Sequence, residues 1–98
     1  MNIEKKINGF ELIIKPEGRI DTNTAPLLET EIKENINGIQ ILVLDFDTVT
    51  YISSAGLRVL LAAQKIMSKQ GKMVIRNANE TVGEVFEITG FTDILTIE

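Results

Sequence analysis

Two adjacent serines, Ser53 and Ser54, are the side chains of this sequence best placed for chemistry. They stand between a predicted buried strand and a predicted helix, where α/β proteins commonly carry a functional site. We predict that Ser54 is the N-cap of the helix, its hydroxyl accepting a hydrogen bond from a backbone N–H of the first turn. A phosphate on the same residue would lie against free N–H groups at the positive end of the helix dipole. The position therefore suits either a structural cap or a phosphorylation site.

The absence of two residue types excludes most catalytic chemistry. The sequence has no His and no Cys, so Ser–His–Asp and Cys–His catalysis and thiolate or imidazole metal sites are ruled out. A Gly-x-Ser-x-Gly nucleophile elbow fails because Ile52 occupies its first Gly position. A P-loop ending at Gly71 and Lys72 fails because Ile66 occupies its first Gly position. We predict that the protein is not an enzyme and has no catalytic residue, no cofactor and no bound metal.

A second polar segment, residues 21–24, could form a working surface. It stands before Pro26, which is predicted in the first turn of a helix, where its missing N–H is harmless. Asp, Thr and Asn at these positions are also ordinary turn and N-cap residues. A structural role explains the segment as well as a binding role does.

Length and charge limit the class of protein. With 98 residues, 44% hydrophobic and 24% charged, we predict one globular domain over residues 1–98. A net charge of −4 argues against nucleic acid or an anionic membrane as partner. Charged residues at the start and the lack of a long apolar run predict no signal peptide and no membrane insertion, hence a cytoplasmic protein.

The pattern of apolar runs predicts a small mixed sheet with a parallel centre. Asn8-Gly9 between apolar-rich runs predicts an N-terminal antiparallel hairpin, and the run 39–46 predicts a central strand buried on both faces. Helices are predicted over 25–37, over 55–70 and from an Asn79 cap to Gly90. Two further strands are predicted over 72–76 and 94–97, and residues 17–23 and 48–53 are predicted as links. The alternation of strands and helices predicts an α/β fold with about three main helices.

The second predicted helix is apolar over more than half its circumference. Its polar stripe is narrow and consists of Arg58, Lys65 and Lys69. Neighbouring helices could cover the excess apolar surface, or an apolar margin beside Ser54 could remain exposed for another protein to cover. The sequence leaves both interpretations open.

Three segments together resemble a known family. The chain resembles the STAS domain family, best known from bacterial anti-sigma factor antagonists, in three segments. They are residues 45–61, the segment 18–25 with Gly-Arg-Ile-Asp and Thr-Ala, and a pattern in the last helix. The last-helix pattern consists of Asn79, Val82, Phe86, Gly90 and Phe91. The segments occur in the family's order and span nearly the whole chain.

The resemblance implies a STAS-like fold and a regulatory role. In such domains a serine at a helix N-terminus is phosphorylated by an anti-sigma factor that is itself a kinase. That serine aligns with Ser54, with Ser53 the less favoured alternative and in the place where antagonists commonly have Asp. The partners implied are this serine kinase and a phosphoserine phosphatase, with release of a sigma factor as the outcome.

The residues expected to bind the partner come from both polar segments and from the start of the second helix. They are Asp21, Thr22, Asn23, Thr24, Ser53, Ser54, Gly56, Leu57 and Arg58. Two other functions stay open: a non-catalytic STAS subunit of a larger assembly, such as a lipid or ABC transporter or a stress-sensing complex, and small-ligand binding at the same loop.

Overall fold

A five-stranded mixed sheet forms the centre of the computed structural model, which describes all 98 residues. The strands are β1 (Ile3–Asn8), β2 (Glu11–Pro16), β3 (Gly18–Ile20), β4 (Ile41–Asp45), β5 (Val49–Ile52), β6 (Lys72–Arg76) and β7 (Thr96–Ile97), and the helices are α1 (Ala25–Asn35), α2 (Ser54–Gln70) and α3 (Glu80–Ile88). The large sheet has the order β1-β2-β4-β6-β7, antiparallel between β1 and β2 and parallel elsewhere. This confirms the predicted α/β fold with a parallel centre.

The N-terminal hairpin is present, with its turn one residue later than predicted. Asn8 pairs with Glu11, which leaves Gly9 and Phe10 as the two-residue loop. Gly9 has a φ of 65° and Phe10 does not have a positive φ. A positive φ at the first loop position alone matches a type II′ turn, which favours Gly there.

Strand β4 lies at the centre of the large sheet, as its composition predicted. It pairs in parallel with β2 on one side and β6 on the other. Leu42, Val43 and Leu44 are all buried, although successive side chains on a strand point to opposite faces. Burial on both faces explains why the segment is apolar at nearly every position.

Helices α1 and α2 pack together over the sheet and close the core. Leu28, Ile32 and Ile36, which are spaced four residues apart, form a buried stripe along α1, and the helix ends at Asn35 rather than at residue 37 as predicted. In α2 no large apolar side chain is exposed, and only Leu61 and Ile66 are half-buried among its large apolar residues. Neighbouring elements therefore cover this helix, and it leaves no exposed apolar margin beside Ser54.

Helix α3 begins at the predicted cap. The side-chain Oδ1 of Asn79 accepts a hydrogen bond from the N–H of Val82 at 2.8 Å. The strand predicted over 94–97 is shorter, because a 3-10 turn at Phe91–Asp93 precedes it and only Thr96–Ile97 pair with β6. None of the helices combines the length and the apolar character needed to span a lipid bilayer.

Two segments predicted as links, residues 17–23 and 48–53, each contain a short strand. Strands β3 and β5 pair in parallel with each other and form a separate two-stranded sheet. Strands of three and four residues are too short for a periodic pattern to show in the sequence. Each strand is stabilised by hydrogen bonds from the other. Such pairing between distant segments leaves no periodic pattern in either segment.

Candidate functional site

The two-stranded sheet places the two polar segments side by side. Ile20 at the end of β3 pairs with Ile52 at the end of β5. The N–H of Ser53 then donates to the carbonyl oxygen of Ile20 at 2.8 Å. The chain leaves both strands at this point, so residues 21–24 and the two serines start from neighbouring positions.

Residues 21–24 are held by a dense set of local hydrogen bonds. The Oδ1 atom of Asp21 accepts from the N–H of Asn23 at 3.0 Å and from the N–H of Thr24 at 3.2 Å. The N–H of Asp21 donates to Oγ1 of Thr24 at 2.8 Å, and the Thr24 hydroxyl donates to the carbonyl oxygen of Arg19 at 2.7 Å. This is an Asx-type turn closed from both ends, with Thr22 and Asn23 exposed at its tip.

The hydrogen bonds of this turn also fix the charge of Asp21. The backbone N–H of Thr24, followed by that of Asn23, lowers the pKa of the Asp21 carboxyl below its ordinary value. The Arg19 guanidinium, with Nε at 3.8 Å from Oδ2 of Asp21, acts in the same direction. Asp21 is therefore a carboxylate at neutral pH.

At the start of α2 the N-cap is Ser53, and the prediction that Ser54 is the cap is wrong. Ser53 has extended backbone angles, and its carbonyl oxygen accepts the first helical bond from the N–H of Leu57 at 3.0 Å. The bond between Ser53 N–H and Ile20 keeps Ser53 in line with β5, so the first helical residue is Ser54. The Oγ atom of Ser53 is buried and has no hydrogen-bond partner, so this helix has no side-chain cap.

Ser54 itself is exposed at the head of the helix. The N–H groups of Ser54, Ala55 and Gly56 donate to no protein acceptor. A hydroxyl in this position is open to a modifying enzyme. A phosphate attached to it would stand beside unused donors at the positive end of the helix dipole.

Gly56 and Leu57, which were expected to bind a partner, are buried beneath the surface residues. A Cβ atom on Gly56 would stand 2.6 Å from Cγ1 of Ile52 and 2.7 Å from Cγ2 of Ile20. Glycine is required here because the first turn of α2 lies directly against the ends of β3 and β5. The two residues therefore position Ser54, whereas Arg58, one turn further along, is exposed.

A pair of residues beside the site was not predicted from the sequence. Arg19 and Tyr51 are opposite each other on β3 and β5, and the Arg19 guanidinium lies 4.5 Å from the centre of the Tyr51 ring. One available signal is the run Val49–Ile52, which consists only of residue types favoured in strands. Taking it as a strand would have placed Tyr51 at the site.

The site is a surface rather than a cavity. The three depressions on the molecule are lined by other residues and include neither serine nor any of residues 21–24. No three His, Cys, Asp or Glu side chains come together in a group that could hold a metal ion.

The sequence model of the STAS domain matches residues 2–98. BtrV of Bordetella bronchiseptica, provisionally named an anti-sigma factor antagonist, is 40% identical over 94 residues, covering 94% of this chain and 80% of its own. The anti-sigma-B factor antagonist of Bacillus subtilis is 30% identical over 98 residues, covering 99% of this chain and 90% of its own.

The fold also matches a solved structure in two chemical states. The anti-sigma factor antagonist SpoIIAA in its unphosphorylated form superposes with a TM-score of 0.84 at 16% identity, covering 99% of this chain and 88% of its own. The phosphorylated form, from Bacillus, superposes with a TM-score of 0.76 at 15% identity, covering 99% and 91%. At these identities the match is one of fold.

Proposed function

Because the chain belongs to the STAS domain family, we propose that it is an anti-sigma factor antagonist whose activity is switched by phosphorylation of Ser54. Two relatives of at least 30% identity carry the antagonist name, and the match extends over nearly the whole chain. The observation that carries the proposal is the exposed Ser54 at the head of α2, beside N–H groups without an acceptor.

The exposed hydroxyl also distinguishes Ser54 from its neighbour. The Oγ atom of Ser53 has less than 1 Å² of accessible surface, so a kinase could reach it only by opening the junction between β5 and α2. Ser54 can enter a kinase active site without such a change. We therefore assign the phosphorylation to Ser54 and leave Ser53 as the residue that ends the strand.

In the unphosphorylated state the exposed surface around Ser54 docks on an anti-sigma factor kinase. The surface comprises residues 21–24, the two serines and Arg58, with Asp21 held as a carboxylate by its turn. Docking occupies the kinase and releases its sigma factor. The chain itself needs no catalytic group for this role, which is carried out in the cytoplasm where sigma factors act.

Phosphorylation ends the interaction through charge and hydration. A phosphate adds close to two negative charges to a chain whose net charge is already −4. It places a strongly hydrated group at the centre of the docking surface, where an unpaired charge is expensive to bury. The unused N–H groups of the first turn of α2 can donate hydrogen bonds to the phosphate oxygens, so the fold is kept. A phosphoserine phosphatase restores the docking state.

The proposal is tested by mapping the phosphate. The protein and its Ser54→Ala and Ser53→Ala variants are incubated with the cognate anti-sigma factor kinase and ATP, and the products are analysed by peptide mass spectrometry. We expect one phosphate on Ser54 in the natural chain and in Ser53→Ala, and none in Ser54→Ala. Phosphate on Ser53 alone, or no phosphate on either serine, would refute the assignment.

A further inference from the structure

Ser54 stands at the head of a positively charged stripe on α2. The exposed side chains that continue its face along the helix are Arg58, Lys65 and Lys69. The helix Ser54–Gln70 contains no Asp and no Glu, although the chain as a whole has a net charge of −4. Positive charge is therefore concentrated on the one helix that carries the modifiable serine.

Arg58 is the member of this stripe that can reach Ser54. Side chains four residues apart on a helix have Cβ atoms about 5–6 Å apart, and long helical side chains point back toward the N-terminus. Arg58 is exposed and takes part in none of the four ion pairs of the molecule. Its guanidinium is free to meet a group attached to Ser54.

The other arginine near the site is already engaged. Arg19 lies 3.8 Å from the Asp21 carboxylate and stacks on the Tyr51 ring at 4.5 Å. Moving it to a phosphate would break both contacts, whereas Arg58 has no contact of this kind to lose.

We infer that Arg58 binds the phosphate of phosphorylated Ser54 within the same chain, and that this pairing withdraws its positive charge from the docking surface. The inference rests on the proposed phosphorylation and names the residue that responds to it. The planar guanidinium can donate two parallel hydrogen bonds to phosphate oxygens. The negative group lies four residues before the positive one, which is the favourable order on a helix.

The pairing gives the switch a second component. In the unmodified chain Arg58 is available to a carboxylate of the partner. After modification it is occupied by the phosphate, so the surface gains negative charge and loses an exposed positive group in the same step. The phosphorylated chain then differs from the unmodified one at two positions of the docking surface.

The test measures the second pKa of the phosphoserine, which is ordinarily about 6 and is lowered by a bound cation. Phosphoserine is introduced at position 54 during translation, and the ³¹P shift is followed from pH 4.5 to 8 in the natural sequence, Arg58→Ala, Arg58→Lys and Lys65→Ala. Lys65→Ala is the matched control, because it removes the same charge at a position about 16 Å from Ser54 along the helix, beyond the screening length at physiological salt.

We expect Arg58→Ala to raise this pKa by about 0.2–0.4 unit, Arg58→Lys to give an intermediate value, and Lys65→Ala to leave it unchanged. Equal pKa values in Arg58→Ala and Lys65→Ala would overturn the inference. Because phosphoserine is installed without a kinase, this outcome is independent of whether the kinase modifies Ser54. Failure of the kinase reaction refutes the proposed function, whereas an unshifted pKa refutes only the role of Arg58.

Discussion

The segments that lead into α1 and α2 leave two neighbouring strand ends and are built in different ways. The turn before α1 is closed by hydrogen bonds between Asp21 and Thr24 and from Thr24 to Arg19, while the side chains of Thr22 and Asn23 at its tip have no partner. At the start of α2 the two serine side chains have no partner, and the helix is held instead by apolar contact at Gly56. The segment before α1 is fixed by hydrogen bonds between its polar groups, whereas the start of α2 leaves its serine hydroxyls without partners.

Within one small surface, the hydrogen-bonded turn keeps its shape while the Ser54 hydroxyl is left free to react. A hydroxyl used as a cap has to be released from its hydrogen bond before it can react, whereas a free one does not. The structure therefore allows Ser54 to be modified at little cost to stability, while the neighbouring turn keeps its shape. The comparison predicts which substitutions unfold the domain and which change only its chemistry.

The largest effect is expected from Gly56→Ala. The new Cβ would lie within 2.7 Å of side-chain atoms of Ile52 and Ile20, so α2 must shift away from the small sheet. We expect a loss of about 1–3 kcal/mol in the free energy of unfolding, measured by urea denaturation. Gly83→Ala is the matched control, because nothing lies within 4 Å of its Cβ position in α3. There Ala should stabilise by about 0.5–1 kcal/mol, and equal effects at the two glycines would contradict the packing account.

A smaller loss is expected from Asp21→Ala, which removes the acceptor of two backbone N–H groups. The turn loses its shape, so both the denaturation midpoint and the affinity for the partner should fall. Asp47→Ala removes an equally charged side chain that accepts no hydrogen bond and serves as the control. A fall in stability with unchanged affinity would limit Asp21 to a structural role.

The same carboxylate predicts a dependence on pH. The pKa of Asp21 is lower in the folded chain than its ordinary value, chiefly through the N–H of Thr24. Its contribution to stability is therefore complete above the ordinary pKa near 4. That contribution disappears as the pH falls from there through the lowered pKa of the folded state. Denaturation between pH 2 and 6 should show a steeper acid loss in the natural chain than in Asp21→Ala, and parallel curves would contradict this.

The smallest effects are expected at the two serines. Neither hydroxyl caps α2, so Ser54→Ala, a substitution at an exposed position, should change the free energy of unfolding by less than about 0.5 kcal/mol. Ser53→Ala removes a buried hydroxyl without a partner and should not lower the free energy of unfolding. Asn79→Ala removes the Oδ1 atom that caps α3 by accepting from the N–H of Val82, and with it the bond from Nδ2 to the carbonyl oxygen of Val49, and should cost at least about 1 kcal/mol. A loss at Ser54→Ala as large as that at Asn79→Ala would mean that Ser54 acts as a cap after all.

The sequence predicted the large sheet better than the small one, for a physical reason. The run around Leu42 to Leu44 and the stripe of α1 follow from burial, which sets the period of apolar residues. Strands β3 and β5 depend on each other across about 30 residues of chain, and each is too short to show a periodic pattern, so only the residue types of Val49–Ile52 give a local signal. The position of Ser53 as N-cap depends on its bond to Ile20 and was missed for the same reason.

The sequence predicted which residues belong to the candidate site, but not which of them are buried and which are exposed. Residues 21–24 and the serines were expected together, and the structure brings them together. Gly56 and Leu57 lie beneath the surface because the first turn of α2 packs against the ends of β3 and β5. Arg19 stacks on Tyr51 because the two residues are paired across those strands. Both contacts join segments that are distant along the chain, so a pattern of neighbouring residue types cannot predict them.

The central claim is that a phosphate on Ser54 turns off docking without unfolding the domain. It is tested most directly by titrating the cognate anti-sigma factor kinase calorimetrically with the unmodified chain and with the chain carrying phosphoserine at position 54. We expect saturable binding of the unmodified chain and an affinity at least about 100-fold lower for the phosphorylated one, with both chains showing the same circular dichroism spectrum. Equal affinities of the two folded chains would contradict the account.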